Sequence, residues 1–202
     1  MKHATRFLAA LGVLAATTQL AMAAPTTWKI DPTPTEVGFE VRQFFSKVHG
    51  VFHDVDGTIA FDEADSSAIR IDATVKVSSV DTGNKRRDGH LRSSDFFNAD
   101  KDSMLAFKST HVATAGKNKY KITGNLTMRG VTKAVTFDAE FLGSSAISVE
   151  GQSWGSKAGF SATTVVNRKD WGINWNKTLD NGGVMVDDNV TIVLNVEADK
   201  AK

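Results

Sequence analysis

From Ile69 to Val77 the odd positions are apolar (Ile69, Ile71, Ala73, Val75, Val77) and the even ones polar (Arg70, Asp72, Thr74, Lys76). A period of two is the mark of a strand with one dry and one wet face; a helix would repeat every three to four residues. Seven more stretches follow the same rule: Val37, Phe39, Val41; Val51, Val55, Ile59, Phe61; Leu105, Phe107; Tyr120, Ile122, Leu126, Met128; Val135, Phe137, Ala139, Phe141; Trp154, Ala158, Phe160, Ala162; and Val190, Ile192, Leu194, Val196. Turn signals fall between them: HG at 49–50, DEADSS at 62–67, AGKN at 115–118, RG at 129–130, LGSS at 142–145 and DNGG at 180–183. Pro25, Pro32 and Pro34 all precede the first long strand, so no later ladder is interrupted. The chain reads as all-β, with eight antiparallel strands. Periodicity alone allows a sandwich or a closed barrel. Strands of about ten residues at 51–62 and 153–166, against a usual five or six, favour an up-and-down barrel able to hold one small ligand.

One segment breaks the pattern. Asn84 to Lys101 (NKRRDGHLRSSDFFNADK) is dense in charge and free of proline. Short helical turns suit it, with Ser94 or Asp95 as N-cap of a turn carrying Phe96 and Phe97. Its apolar residues, Leu91, Phe96 and Phe97, are too few for a free amphipathic helix. They fit either a plug over a barrel mouth or a crossover loop anchored to the core by two phenylalanines.

Met1 to Ala23 has the layout of a secretory leader: Lys2 and Arg6, an apolar run from Phe7 to Ala16, and Ala21-Met22-Ala23 before a cleavage point at Ala24. The run is too short to span a bilayer. Residues 24–202 then form one domain of ordinary size with a core of its own. Lys and Arg number 24 against 23 Asp and Glu, which gives nucleic acid or an acidic surface no electrostatic reason to bind. Cysteine is absent, so disulfides, thiol catalysis and thiolate metal sites are excluded.

Chemistry-bearing patterns fail on inspection. GQSWG (Gly151 to Gly155) matches a nucleophile elbow, yet a strand-like KAGFSATTVV follows where a helix is required, and no histidine follows Ser153. His49 and His53 on one strand would lie about 13 Å apart, too far to share a metal ion; His90 and His111 stand alone in sequence. DVDG (Asp54 to Gly57) lacks the rest of a calcium loop. Asp54, Asp56 and Asp62 are near in sequence, but glycoside hydrolysis needs two carboxyls facing across a cleft, and the wet face of a strand explains them. No catalytic residue, metal site or cofactor is expected. What remains is aromatic content: 12 Phe and four Trp against one Tyr, rings without hydroxyls that suit an apolar interior, filling the core or lining a cavity. RKDWGINWN (Arg168 to Asn176) adds Trp171 and Trp175 in a second lid or a tryptophan-anchored loop.

Five phrases in order carry a family resemblance: WKIDPTPTEVGFEVRQF, VHGVFHDVDGTIAFD, RRDGHLRSSDFFNADK, GNLTMRGVTKAVTF and NRKDWGINWN. Together, from Trp28 to about Glu197, they closely resemble the YceI-like family of exported bacterial proteins. The resemblance implies a lipocalin-like eight-stranded barrel in the periplasm. It also implies dimers, no established catalysis, and an elongated apolar cavity for polyisoprenoids (isoprenoid quinones, polyprenyl phosphates) or other long-chain lipids. True lipocalins carry G-x-W near the first strand; here Thr26-Thr27 precede Trp28, so descent from them is not implied.

On this reading the cavity and cap residues are Phe39, Val41, Phe52, Leu91, Phe96, Phe97, Phe107, Phe160 and Trp171. Arg87 and Asp88 fix the cap by pairing with each other or with neighbours; alternatively Arg86, Arg87 or Arg92 meets a phosphate head group. A five-carbon isoprene unit contributes about 3–4 kcal/mol at roughly 0.8 kcal/mol per buried methylene. Three or four units therefore reach micromolar affinity without polar contacts, even after the cost of association. The competing classes are an outer-membrane or interaction barrel, disfavoured by the missing aromatic girdle and the EADKAK tail, and a hydrolase, which lacks a catalytic pair.

Overall fold

The computed structural model describes residues 24–62, 65–180 and 182–202, so the expected leader at 1–23 lies outside the described residues. Eleven strand segments are β1 (Thr26–Ile30), β2 (Glu36–Gln43), β3 (Ser46–Phe52), β4 (Val55–Phe61), β5 (Arg70–Lys76), β6 (Val80–Asp81), β7 (Met104–Gly116), β8 (Lys119–Met128), β9 (Val131–Val149), β10 (Gln152–Asn167) and β11 (Val186–Lys200). Among the described residues one α-helix, α1 (Lys85–Arg92), follows β6. All pairings are antiparallel, and β11 pairs with β10 on one side and with both β1 and β2 on the other. The ring is closed. β1 with β2, β3 with β4 and β5 with β6 each act as one broken stave, so the barrel has eight staves in meander order.

Each break has a local cause. Between β1 and β2 stand Pro32 and Pro34, which cannot donate to a ladder, and the Asp31 carboxylate accepts the Thr33 N–H at 3.0 Å. The break at His53-Asp54 meets the one at Val77–Ser79, a 3-10 turn. The Ser79 carbonyl accepts from His53 N (3.4 Å) and its hydroxyl from Asp54 N (3.0 Å). Two residues are thereby looped out and the parity of the stave changes: Phe52 and Val55 both point inward. Strict alternation had placed Val51 inside; Val51 is only half-buried and lines no cavity.

Elsewhere the alternation holds. Tyr120, Ile122, Leu126 and Met128 of β8 are buried, while Lys119, Lys121 and Asn125 are exposed. The outer face carries cross-strand ion pairs such as Lys29–Asp56 at 3.1 Å and Lys108–Asp72 at 3.4 Å. Apolar rows face in and charged rows face out, the reverse of a membrane-spanning barrel.

Three expected features shift. His49-Gly50 is no turn but lies inside β3; Gly50 faces Phe39 across the ladder, and a Cβ there would sit 2.2 Å from the ring. The turn is instead Phe44-Phe45. The LGSS stretch is a bulge within β9, which runs on to Val149 and turns at Glu150-Gly151. A second irregularity, at Ser153–Ser156, turns Trp154 outward, 61% exposed.

Candidate functional site: a two-chambered barrel interior

Aromatic rings divide the interior into tiers. At the floor Phe61 meets Phe141 (4.5 Å between centroids), Phe160 (5.4 Å) and Tyr120 (5.8 Å). Halfway up, Phe107 meets Phe137 edge-on at 5.3 Å. Near the top Phe52 touches Phe39 (5.8 Å) and Phe97 (5.6 Å). Between these tiers lies a cavity of about 250 Å³, lined almost wholly by aliphatic and aromatic side chains from all eight staves and the roof.

The roof is built from 82–102. Asn84 is the N-cap of α1, its Oδ1 accepting from the backbone N–H of Arg86 and Arg87 at 3.1 Å each. The expected cap at Ser94 or Asp95 is therefore corrected: the helix begins ten residues earlier, and 93–97 form turns beyond its end. One hydroxyl locks the helix to the barrel. Thr82 Oγ1 donates to the buried Asp88 carboxylate (2.6 Å) and accepts from Arg87 Nε (2.7 Å), while Arg87 Nη2 donates to the Thr82 carbonyl (2.9 Å). Arg87 and Asp88 thus meet through Thr82. Past the helix, Arg129 donates to the carbonyls of Ser94 and Phe96, which holds Phe96 and Phe97 over the cavity.

The other side of the roof is the 168–176 loop. Arg168 is buried, donating to the carbonyls of Asp187 (2.9 Å), Ile173 (2.7 Å) and Trp175 (2.8 Å). Burial pulls its guanidinium below the ordinary value, opposed by the carboxylates of Asp188 and Asp187. Trp171 is 2% exposed and its indole N–H donates to the Leu126 carbonyl at 3.1 Å. It anchors the loop and lines neither chamber, which corrects its assignment to the cavity. Trp175 stands at the mouth instead, against His90 (4.7 Å) and Phe96 (5.3 Å).

A second, outer chamber of about 520 Å³ adjoins the first. Phe39, Val41, Leu91, Phe96 and Val186 line both and form the partition. The outer chamber adds Arg86, Arg87, His90 and Asn84. Of the sequence candidates, Phe39, Val41, Phe52, Leu91, Phe96, Phe97, Phe107 and Phe160 all line the inner cavity. Arg86 is exposed in the outer chamber; Arg87 reaches it with its guanidinium already bonded; Arg92 lines neither. Sequence reasoning missed His90 and Val186. His90 stands beside Leu91 on a helix whose bounds, 85–92, differ from the turn expected after Ser94 or Asp95, and Val186 precedes the alternating run of β11.

Other sequence features serve the scaffold. His49 pairs with Glu40, His53 with Asp81 and His90 with Asp95; among the described residues no three His, Asp or Glu are placed to hold a metal ion. Ser153 accepts the Gly155 N–H at a hairpin bulge. Asp54 and Asp56 face solvent, paired with Lys76 and Lys29.

A family model of the YceI-like domain matches residues 28–198. A UPF0312 protein of Serratia proteamaculans (strain 568) is 40% identical over 159 residues, covering 78% of this chain and 77% of its own. BcnA of Burkholderia cenocepacia shares the fold with a TM-score of 0.73 at 24% identity, over 84% of this chain and 99% of that one. A polyisoprenoid binding domain from Saccharophagus degradans, implicated in plant cell wall breakdown, gives 0.63 at 12% identity, over 88% and 99%.

Proposed function

The chain belongs to the YceI-like family, and from that premise we propose that it binds a long apolar chain inside the barrel, of the polyisoprenoid class, and carries or stores it in the periplasm. Residues 1–23 supply export. The observation that carries the reading is the apolar inner cavity, closed below by the Phe61 cluster and leading, past Phe39, Leu91 and Phe96, into a chamber holding Arg86 and His90. A prenyl tail fits the first and a phosphate or quinone head the second. The Saccharophagus domain, described as polyisoprenoid binding, supports the ligand class. Each buried methylene contributes about 0.8 kcal/mol, so the tail supplies most of the affinity and the outer chamber selects the head. Binding needs no reacting pair, and the barrel acts without chemical conversion.

The test is native mass spectrometry of protein taken from its own periplasm without detergent, followed by solvent extraction. A stoichiometric isoprenoid or long-chain lipid is the expected result. Protein that arrives empty and also refuses added quinones and polyprenyl phosphates would overturn the reading.

A further inference from the structure

β2 and β3 are joined by two residues, Phe44 and Phe45, with Gln43 facing Ser46. Two-residue hairpin turns are dominated by Gly, Asn and Asp because a corner residue must take positive φ. Here that corner, at φ +53°, is Phe44, a bulky residue that the left-handed conformation strains. The two rings differ in cover: Phe45 is 99% exposed, Phe44 38%. Nor is the tip loose. Phe44 N–H donates to the Met185 carbonyl at 2.9 Å, and Arg42 donates to the Phe44 carbonyl at 3.0 Å. The Phe45 ring is thus held wholly in water, and the Phe44 ring partly so, on a rigid, strained corner.

Their position is the rim of the mouth. Gln43 and Val48, on either side of the tip, line the outer chamber together with Asn84 and Arg86. The exposed Val184 adjoins Met185, to which the tip is bonded. On the same rim α1 presents the exposed Lys85 and Arg86, neither in an ion pair among the described residues, while its one acid, Asp88, is buried. By contrast Arg42 and Lys47 are matched by Asp187 and Glu40. Exposed rings beside uncompensated cations have the chemistry of an interfacial anchor, with rings below the head groups and cations among the phosphates. Two side chains are too small a patch for a stable protein interface.

We propose that the Phe44–Phe45 tip and the cations of α1 dock the mouth of the barrel onto an anionic lipid bilayer. The proposal rests on the lipid-holding reading for its purpose, and on the exposed tip and rim charge for its physics.

The test is co-sedimentation of the processed protein with vesicles of phosphatidylglycerol and phosphatidylethanolamine, and with phosphatidylcholine vesicles as control. Phe45→Ser removes a ring that touches nothing. The double variant Phe44→Gly, Phe45→Asn installs favoured turn chemistry and relieves the positive φ, so loss of folding does not confuse the result. Wild type is expected to partition onto the anionic vesicles, less so at high salt. Each lost ring should weaken partitioning about tenfold, with the melting temperature of the double variant unchanged or raised and co-purified lipid retained. Equal vesicle binding by wild type and the double variant would overturn the proposal. So would a wild type that ignores vesicles, or a tip whose replacement only turns a dimer into a monomer. Lipid-loaded protein that ignores vesicles sinks docking alone; empty protein that still docks through Phe45 sinks the cavity reading alone.

Discussion

At the scale of single residues, two glycines decide where rings lie. A Cβ on Gly50 would meet only side-chain ends, Phe39 at 2.2 Å and Thr82 at 2.8 Å, whereas one on Gly124 would meet the Phe107 ring at 2.4 Å and the backbone carbonyl of Lys108 at 2.6 Å. Side chains can swing; a strand backbone cannot. Overpacking costs about 1–3 kcal/mol, so Gly50→Ala should fall near the low end and Gly124→Ala near the high end. Urea unfolding checks the order, and equal losses would mean that the backbone yields as readily as a ring. At the roof, Phe96 packs on Trp175 and His90 while Phe97 packs on Phe52. Replacing both by Ser should raise the rate of lipid loss about tenfold or more while the circular dichroism of the barrel persists. Unchanged retention in the folded double variant would mean that the roof does not hold the ligand.

At the scale of elements, α1 is held by polar ties in its first turn rather than by a broad apolar face. Asp88, its one buried residue, is tied to Thr82, and Asn84 caps the first turn. Asn84→Ala should cost about 1 kcal/mol locally, seen as faster hydrogen exchange across 85–92 with little change in global unfolding. A matching drop in global stability would make the helix part of the cooperative core. The same feature explains what the sequence concealed. The strands were legible because burial on one face writes a period of two, as β5 and β8 do. A short helical cap within 84–101 was legible as well, but its bounds were not, because a helix held by polar ties has no apolar stripe, and attention falls on Phe96 and Phe97 beyond its end. The inward turn of Phe52 depends on Ser79, 26 residues from His53, and leaves no local trace. Gly50 mimicked a turn because a glycine under a ring and a glycine at a corner look alike in sequence. The true corner carried Phe-Phe, which no turn rule selects. Of the nine apolar cavity candidates seven line the cavity by parity or by membership of the roof and Phe52 does so through the break in its stave, while Trp171 packs outside it, because a buried ring reads the same whether it fills or lines.

At the scale of the whole molecule, the barrel exists only while β11 stays paired with the first stave, and the β1 end of that seam is its shorter part: β2 meets β11 in seven residue pairs and β1 in three, Trp28 with Lys200, Lys29 with Asp199 and Ile30 with Ala198. Lys157 of β10 reinforces it, reaching Glu197 (2.9 Å), Asp199 (2.9 Å) and, beyond β11, Asp31 (3.3 Å). Glu197 and Asp199 raise the Lys157 pKa, while the Thr33 N–H and then Lys157 hold Asp31 below the usual carboxylate range. The two shifts act at opposite ends of the pH scale. Asp31, depressed on folding, contributes stability above its unfolded value of about 3.9, lost as pH falls through its folded value; Lys157, raised on folding, contributes below about 10.4, lost as pH rises through its folded value. Between those limits the clamp is fully formed. Lys157→Met leaves three carboxylates facing one another, so the variant should be less stable by about 1 kcal/mol near neutrality. The gap should shrink below about pH 4 as the carboxyls take up protons and the repulsion disappears. Urea unfolding of both proteins between pH 3 and 9 measures it. A gap that stays constant with pH would assign the loss to packing of the lysine stem, and the closure of the barrel would then owe nothing to charge.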